Sequence, residues 1–272
     1  MKESADGDVL FSAEGAVAYI DLNRPERLNA MTTTMQEEIH AHLDLLEGNE
    51  TIRVIVIRGK GRAFCAGADL QVRSSNEDGN RTPWDDVRHI QRNVDLYARL
   101  WEYSKPVIAQ VHGYCLAAGV MLATSCDITI ASDDARIGWP KLPVGGGYIS
   151  HMAAWYIGPK RAKEMSFMAG SEIDGRTAAE WGLVNRSVPL ADLRSTVDGM
   201  ALRISRMPAS LLELKKSSIN GLFNDRGYAS ALRDSALADA LAHLDPAAKR
   251  SSQWIKEFGL KGAIERYESE GL

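Results

Sequence analysis

The segments "GRAFCAGADL", Gly61 to Leu70, and "GYCLAAGVML", Gly113 to Leu122, each follow a short β-branched run and turn on glycine and alanine. Residues this small let a backbone N–H at a strand end or helix start face a ligand with no side chain in the way. Two such N–H groups converging on one oxygen form an oxyanion hole, which supplies about 3 to 4 kcal/mol of transition-state stabilisation per donor. Taken singly, either corner reads as well as a turn or a close-packing site. A second chemical cluster is "GWPKLPVGGGYISH", Gly138 to His151, which gathers Trp139, Lys141, Tyr148 and His151 around Gly145 to Gly147. His151 is suited either to proton transfer near neutral pH or to a packed place in a helix with Met152 and Trp155. Tyr148 either donates a hydrogen bond to a substrate or packs in the core, and Lys141 either pairs with an acidic acyl group or stays solvated.

These groups need a scaffold, and the chain supplies an alternation of strand and helix. Ala16 to Leu22 reads as a strand closed by Pro25, and a helix follows in which Thr32 to Thr34 cap and Met35, Ile39, Leu43 and Leu46 recur at helical spacing. "IRVIVIRG", from Ile52, is a nearly continuous β-branched run of the kind covered on both faces. Asp85 to Tyr103 reads as helix, Val107 to Val111 as strand, Gly119 to Ser125 as short helix and Asp127 to Ala131 as strand. Beyond Gly158 the pattern is mostly helical, with one short strand at Val184 to Val188. The polar window Arg73 to Asp86 reads as a surface loop bordering a site. Strand, strand, helix units argue for an α/β core whose sheets are covered by helices.

The 272 residues, 45% hydrophobic, suffice for a substantial core, and a net charge of −4 with no basic patch argues against a nucleic-acid partner. No run is long and apolar enough for a membrane span, and the first residues lack a signal core, so the expected location is cytoplasmic. Cys65, Cys115 and Cys126 lack CxxC or Cys/His spacing, which points to buried structural thiols and no metal site.

From Ile108 to Ile128 the chain reads aliphatic, small, any, aliphatic, His112, Gly113, three free positions, Ala117, Ala118, Gly119, four free positions, then Thr124 to Ile128. This order resembles the signature of the enoyl-CoA hydratase/isomerase, or crotonase, family. "LNRPERLNAM", "GRAFCAGADL", "IGPKRAKEM" and "EWGLVNRSVP" match in the expected sequence, and the resemblance spans Val9 to Gly262. It implies an α/β, crotonase-like fold of repeated ββα units in two roughly perpendicular sheets, residues 1–205, and a C-terminal helical trimerisation region, residues 206–272, in one functional unit. It also implies an acyl-CoA thioester as ligand, with coenzyme A as part of the substrate, no tightly bound cofactor, and a homotrimer or hexamer.

Carried over by position, the oxyanion donors are the N–H groups of Ala68 and Ala118. Ala66 to Gln71, including Asp69 and Leu70, would run beside pantetheine and adenine, while Arg24 to Leu28 lie along the nucleotide with Arg27 as a phosphate or adenine contact. Solvated loop charge is the competing reading of Arg24 and Arg27; Asp69 pins its loop, Asp127 is structural, and His112 packs behind the second corner. The two glutamates that hold and deprotonate water in family hydratases fall at Met121 and Lys141. A thioether has no basicity and an ordinary lysine is protonated at neutral pH, so two-glutamate hydration should be severely impaired. "LPVGGGY" is also about three residues shorter than the family loop by this alignment, which removes a third carboxylate used by some members. The open readings are an acyl-CoA enzyme with non-standard acid/base chemistry, a decarboxylase or hydrolase of the same fold, and a non-catalytic acyl-CoA binder.

Overall fold

The computed structural model describes residues 7–70, 82–145 and 147–272, with backbone alone for residues 147–151. Strands β1 (Val9–Glu14) and β2 (Val17–Leu22) form a hairpin, followed by the helical turn Pro25–Arg27 and helix α1 (Thr33–Glu47). Then come β3 (Val54–Gly59), β4 (Ala63–Cys65), α2 (Pro83–Glu102), β5 (Val107–Val111), β6 (Tyr114–Leu116) and α3 (Ala118–Ser125). Strands β7 (Ile128–Ser132) and β8 (Arg136–Gly138) lead into α4 (Gly147–Phe167), β9 (Glu172–Ile173), α5 (Gly175–Trp181) and β10 (Arg186–Val188). Helices α6 (Leu190–Ser205), α7 (Ala209–Asp225), α8 (Tyr228–Leu244) and α9 (Pro246–Glu270) complete the chain.

The strands form two sheets, ordered β1-β2-β3-β5-β7-β10 and β4-β6-β8-β9, and from β3 to β8 successive strands alternate between them. This is the expected strand, strand, helix repeat. In the larger sheet β1 and β2 are antiparallel and the remaining neighbours parallel, with Ile20 opposite Ile57 and Ile57 opposite Ala109. One face of that sheet, with Val17, Tyr19, Val54, Val56, Ile108 and Ile130, packs on Leu193, Val197 and Ala201 of α6. The opposite face, with Ala18, Ile20, Ile55 and Ile57, belongs to the main core with Met35, Ile39, Leu43 and Leu46 of α1. Helices on both faces explain why these strands read as unbroken β-branched runs.

Local signals account for the helix boundaries. Thr32 caps α1 by accepting the Met35 N–H at 3.1 Å. Thr82 and Asp85 form a reciprocal capping box at α2, so the helix begins inside the window read as a loop, and its portion from Arg73 to Arg81 lies outside the described residues. Gly158, with φ 75°, and Gly259, with φ 69°, break α4 and α9 into two segments each. Among the described residues no helix is long and apolar enough to cross a membrane. The three cysteines are buried and free, as expected.

Candidate active site

The two glycine and alanine corners lie side by side because β4 and β6 are parallel neighbours, with Ala63 opposite Tyr114 and Cys65 opposite Cys115. Both corners therefore open at the same end of the smaller sheet. Gly67, at φ 112°, has room for little more than hydrogen: a Cβ there would stand 3.2 Å from the Ala117 Cβ. Gly119 is stricter, since a Cβ would fall 2.2 Å from the Cys65 carbonyl oxygen. Helix α3 thus starts directly against the end of β4. Ala117 takes a positive φ with an extended, negative ψ, φ 50° and ψ −113°, outside the left-handed helical region and rare for a residue with a side chain. Its N–H donates to the Gly138 carbonyl at 2.9 Å, while its carbonyl accepts from Val120 and Met121 at 3.0 and 3.2 Å. Among the described residues no acceptor takes the N–H of Ala68 or of Ala118. Burial pushes the neighbouring Cys65 thiol up to about 11, so it stays protonated and unreactive at neutral pH.

A second strip of backbone runs up to the first corner. Leu28, at φ 52°, presents its carbonyl to the Ala66 N–H at 3.0 Å. Met31 bridges Gly67 and Asp69, donating to the Gly67 carbonyl at 2.7 Å and accepting the Asp69 N–H at 2.9 Å. Arg24 is neither a solvated charge nor an outward-facing contact. It is largely buried, donating to the Ala30 carbonyl at 2.6 Å and to Asp69 Oδ2 at 3.0 Å. Asp69 pins its loop through that guanidinium. Asn29, fully buried at φ 55°, ties the same strip to the β3–β4 turn by donating to the Lys60 and Ala63 carbonyls at 3.0 and 2.8 Å. The sequence reading missed it, although an asparagine in a left-handed turn is a recognisable signal. Arg27 stands exposed on the helical turn, and Gln71 lies outside the described residues.

His112 Nε2 lies 2.8 Å from the Gly61 carbonyl oxygen, so the imidazole ties the β3–β4 turn to the β5–β6 turn. Met121 is 1% exposed and belongs to the main core. Lys141 is partly exposed with Nζ 3.8 Å from Glu172, whose other oxygen binds Arg136 Nε at 2.7 Å. The side chains of Tyr148 and His151, in the first part of α4, lie outside those described. Trp139 is buried, and its indole N–H has no acceptor among the described residues, a situation that costs about 1–3 kcal/mol when nothing compensates it.

Two further elements reach the loop between β8 and α4. Leu142 and Val144 pack with Leu70 against Ile255 and Ala263, so α9 covers that loop within the same chain. Asp86 Oδ2 lies 2.6 Å from His243 Nδ1, and Asp239 Oδ2 lies 3.7 Å from its Nε2. Gly145 rests on this cluster: a Cβ there would be 2.5 Å from His243 Nε2. Asp127 is structural, as expected, accepting from the Val107 N–H at 2.7 Å and Lys216 Nζ at 2.8 Å. Among the described residues no group of three or more His, Cys, Asp or Glu is placed to hold a metal ion.

Comparison with known proteins matches residues 12–253 to the family described as enoyl-CoA hydratase/isomerase. The crystal structure of an enoyl-CoA hydratase/isomerase from Xanthobacter autotrophicus superimposes with a TM-score of 0.89 at 32% identity, covering 95% of this chain and 96% of that one. A short-chain-enoyl-CoA hydratase of Clostridium acetobutylicum is 31% identical over 245 residues, 88% of this chain and 91% of the relative. A hydroxycinnamoyl-CoA hydratase-lyase of Pseudomonas fluorescens is 34% identical over 197 residues, 69% of each chain.

Proposed function

The chain belongs to the enoyl-CoA hydratase/isomerase family, and from that premise we propose that it converts an acyl-CoA thioester by stabilising the enolate of the thioester carbonyl with the N–H groups of Ala68 and Ala118. The observation that carries this reading is the pair of adjacent corners whose N–H groups meet no acceptor among the described residues. A peptide N–H held in place beforehand needs no reorganisation as negative charge develops on the oxygen. Coenzyme A is part of the substrate, with Leu28, Ala66, Asp69, Leu70 and Gln71 along its length and Arg27 at its phosphates. No resident cofactor enters the reaction.

The acid/base chemistry is non-standard. Met121 is packed among apolar neighbours and has no proton to exchange, and Lys141 leans toward Glu172. Burial of Met121 favours a reaction in which no carboxylate at that position is needed. Loss of carbon dioxide from a malonyl-type thioester is one, because the electron pair of the breaking C–C bond itself becomes the enolate. The assembly is a homo-oligomer, trimer or hexamer. Supporting this, Leu211, Leu214, Ile219 and Leu222 on α7 and Leu237, Leu241 and Leu244 on α8 are exposed apolar residues at helical spacing.

The reading is tested by incubating the protein with crotonyl-, malonyl- and aryl-type CoA thioesters and following each by mass spectrometry, alongside Ala118→Pro. Proline removes the N–H and also restricts Ala117 before it, so the variant is compared only after circular dichroism shows it folded. Turnover of at least one thioester, lost about a hundredfold or more in a folded Ala118→Pro protein, is expected. Saturable binding with no turnover across the panel would assign the chain to the non-catalytic binders.

A further inference from the structure

Trp139 carries a feature that its packing does not explain. The residue is 4% exposed, yet its indole nitrogen has no hydrogen-bond partner among the described residues. The other buried atoms in this condition include hydroxyls of Ser132, Ser166 and Ser251, which can turn to a new acceptor. An indole N–H is a donor only and cannot rotate away. The backbone fixes its position further: the Trp139 N–H donates to the Ser171 carbonyl at 2.9 Å, and the Pro140 carbonyl accepts from Gly170 at 2.8 Å. The backbone that carries the donor is therefore fixed, and no acceptor among the described residues meets the indole N–H.

Its place is set by strand alternation. Cys115 and Ile137 stand opposite each other on β6 and β8 with both side chains buried, so they share the inward face. Trp139, two residues beyond Ile137, continues that face past the strand end. Gly138, just before it, takes the N–H of Ala117, the residue preceding the proposed oxyanion donor Ala118. Met121 and Met152 belong to the same apolar cluster as Trp139. Trp139 thus follows directly on the residue that holds Ala117, and its side chain belongs to the main apolar core.

We propose that the Trp139 indole N–H is a specificity donor for the acyl group, receiving an uncharged oxygen acceptor, a carbonyl, ether or hydroxyl, carried beyond the thioester. This rests on the acyl-CoA reading above. One neutral N–H in an apolar shell compensates the desolvation of a neutral oxygen but not that of a carboxylate. Lys141, the nearby cation of the same loop, is already paired with Glu172 at 3.8 Å. The group that meets the indole is accordingly a neutral oxygen of the acyl chain, not plain hydrocarbon and not a carboxylate at that point.

Matched pairs of thioesters differing by one oxygen test this: hexanoyl- against 3-oxohexanoyl- and 5-oxohexanoyl-CoA, and cinnamoyl- against 4-methoxycinnamoyl-CoA. Dissociation constants are measured by calorimetry for the wild type, for Trp139→Phe, and for a protein with β-(3-benzothienyl)alanine at position 139. That analogue keeps the bicyclic shape without the N–H, so it serves even where phenylalanine disturbs folding. In the wild type at least one oxygenated member should bind about three- to tenfold tighter than its partner, as one hydrogen bond allows. Both replacements should erase the preference and leave the deoxygenated member within about twofold. A preference absent from every pair, one that survives both replacements, or an equal loss for both members overturns the assignment. Failure of every thioester to bind the wild type defeats the acyl-CoA reading and this inference together, whereas binding without the preference defeats this inference alone.

Discussion

Ala117 and Gly138 are joined by one hydrogen bond, N–H to carbonyl at 2.9 Å, that ties the start of α3 to the end of β8. The bond holds the strained turn at Ala117, φ 50° and ψ −113°, from which the Ala118 N–H projects. Alanine tolerates that conformation at a modest cost, but a β-branched residue does not. Ala117→Val is expected to lower stability by about 2 kcal/mol in denaturant unfolding, with Ala117→Gly close to wild type. Equal stability of the two variants would mean that the turn relaxes freely.

Lys216 reaches from α7 to Asp127, at 2.8 Å, and to the Leu100 and Lys105 carbonyls, at 3.0 and 3.3 Å. Burial raises the Asp127 carboxyl above its ordinary range, while Lys216 and the Val107 N–H pull it back. Lys216→Met leaves that carboxylate buried with its main partner gone, and a loss of about 3–5 kcal/mol at neutral pH is expected. An acid whose folded value is raised binds its proton more tightly when folded. Its contribution is full below the ordinary carboxylate value and is lost as the pH rises through the folded value. Removing Lys216 raises the folded value further, so the deficit should shrink from pH 7.5 to pH 5 in guanidinium unfolding. A deficit independent of pH would show that the ion pair is not its source.

Gly145 packs onto His243, where a Cβ would meet Nε2 at 2.5 Å and Asp239 Oδ1 at 2.9 Å. Gly145 is also at φ 130°. Gly145→Ala is expected to lose about 1–3 kcal/mol from crowding and strain together. In a double-mutant cycle with His243→Ala, the crowding part should be recovered as a coupling energy above about 0.5 kcal/mol by thermal or denaturant unfolding. Strict additivity of the two changes would dissociate the glycine from the histidine.

What the chain discloses locally, it discloses well. The run Val107 to Val111 is a strand over the range read, and Thr32 caps α1, because β-branching and side-chain capping act within a few residues. The corners were legible as small residues after strands, and the structure sets them side by side through the β4–β6 pairing. Strands of two or three residues, β4, β6, β8 and β9, left no periodic trace, since their partners and not their sequences hold them extended. The Asp86–His243 contact joins positions far apart in the chain, and no local pattern announces such a pair. Trp139 reads as ordinary core until its surroundings show that its N–H was left over.

Helix α9, which lies over Leu70, Leu142 and Val144, is synthesised long after the loop it covers. The peptide corners can form early in synthesis, but the loop beside them gains its cover only once α9 has followed. During translation the nascent protein therefore passes through a stage in which this apolar surface faces water, a window for chaperones and, if they are absent, for aggregation.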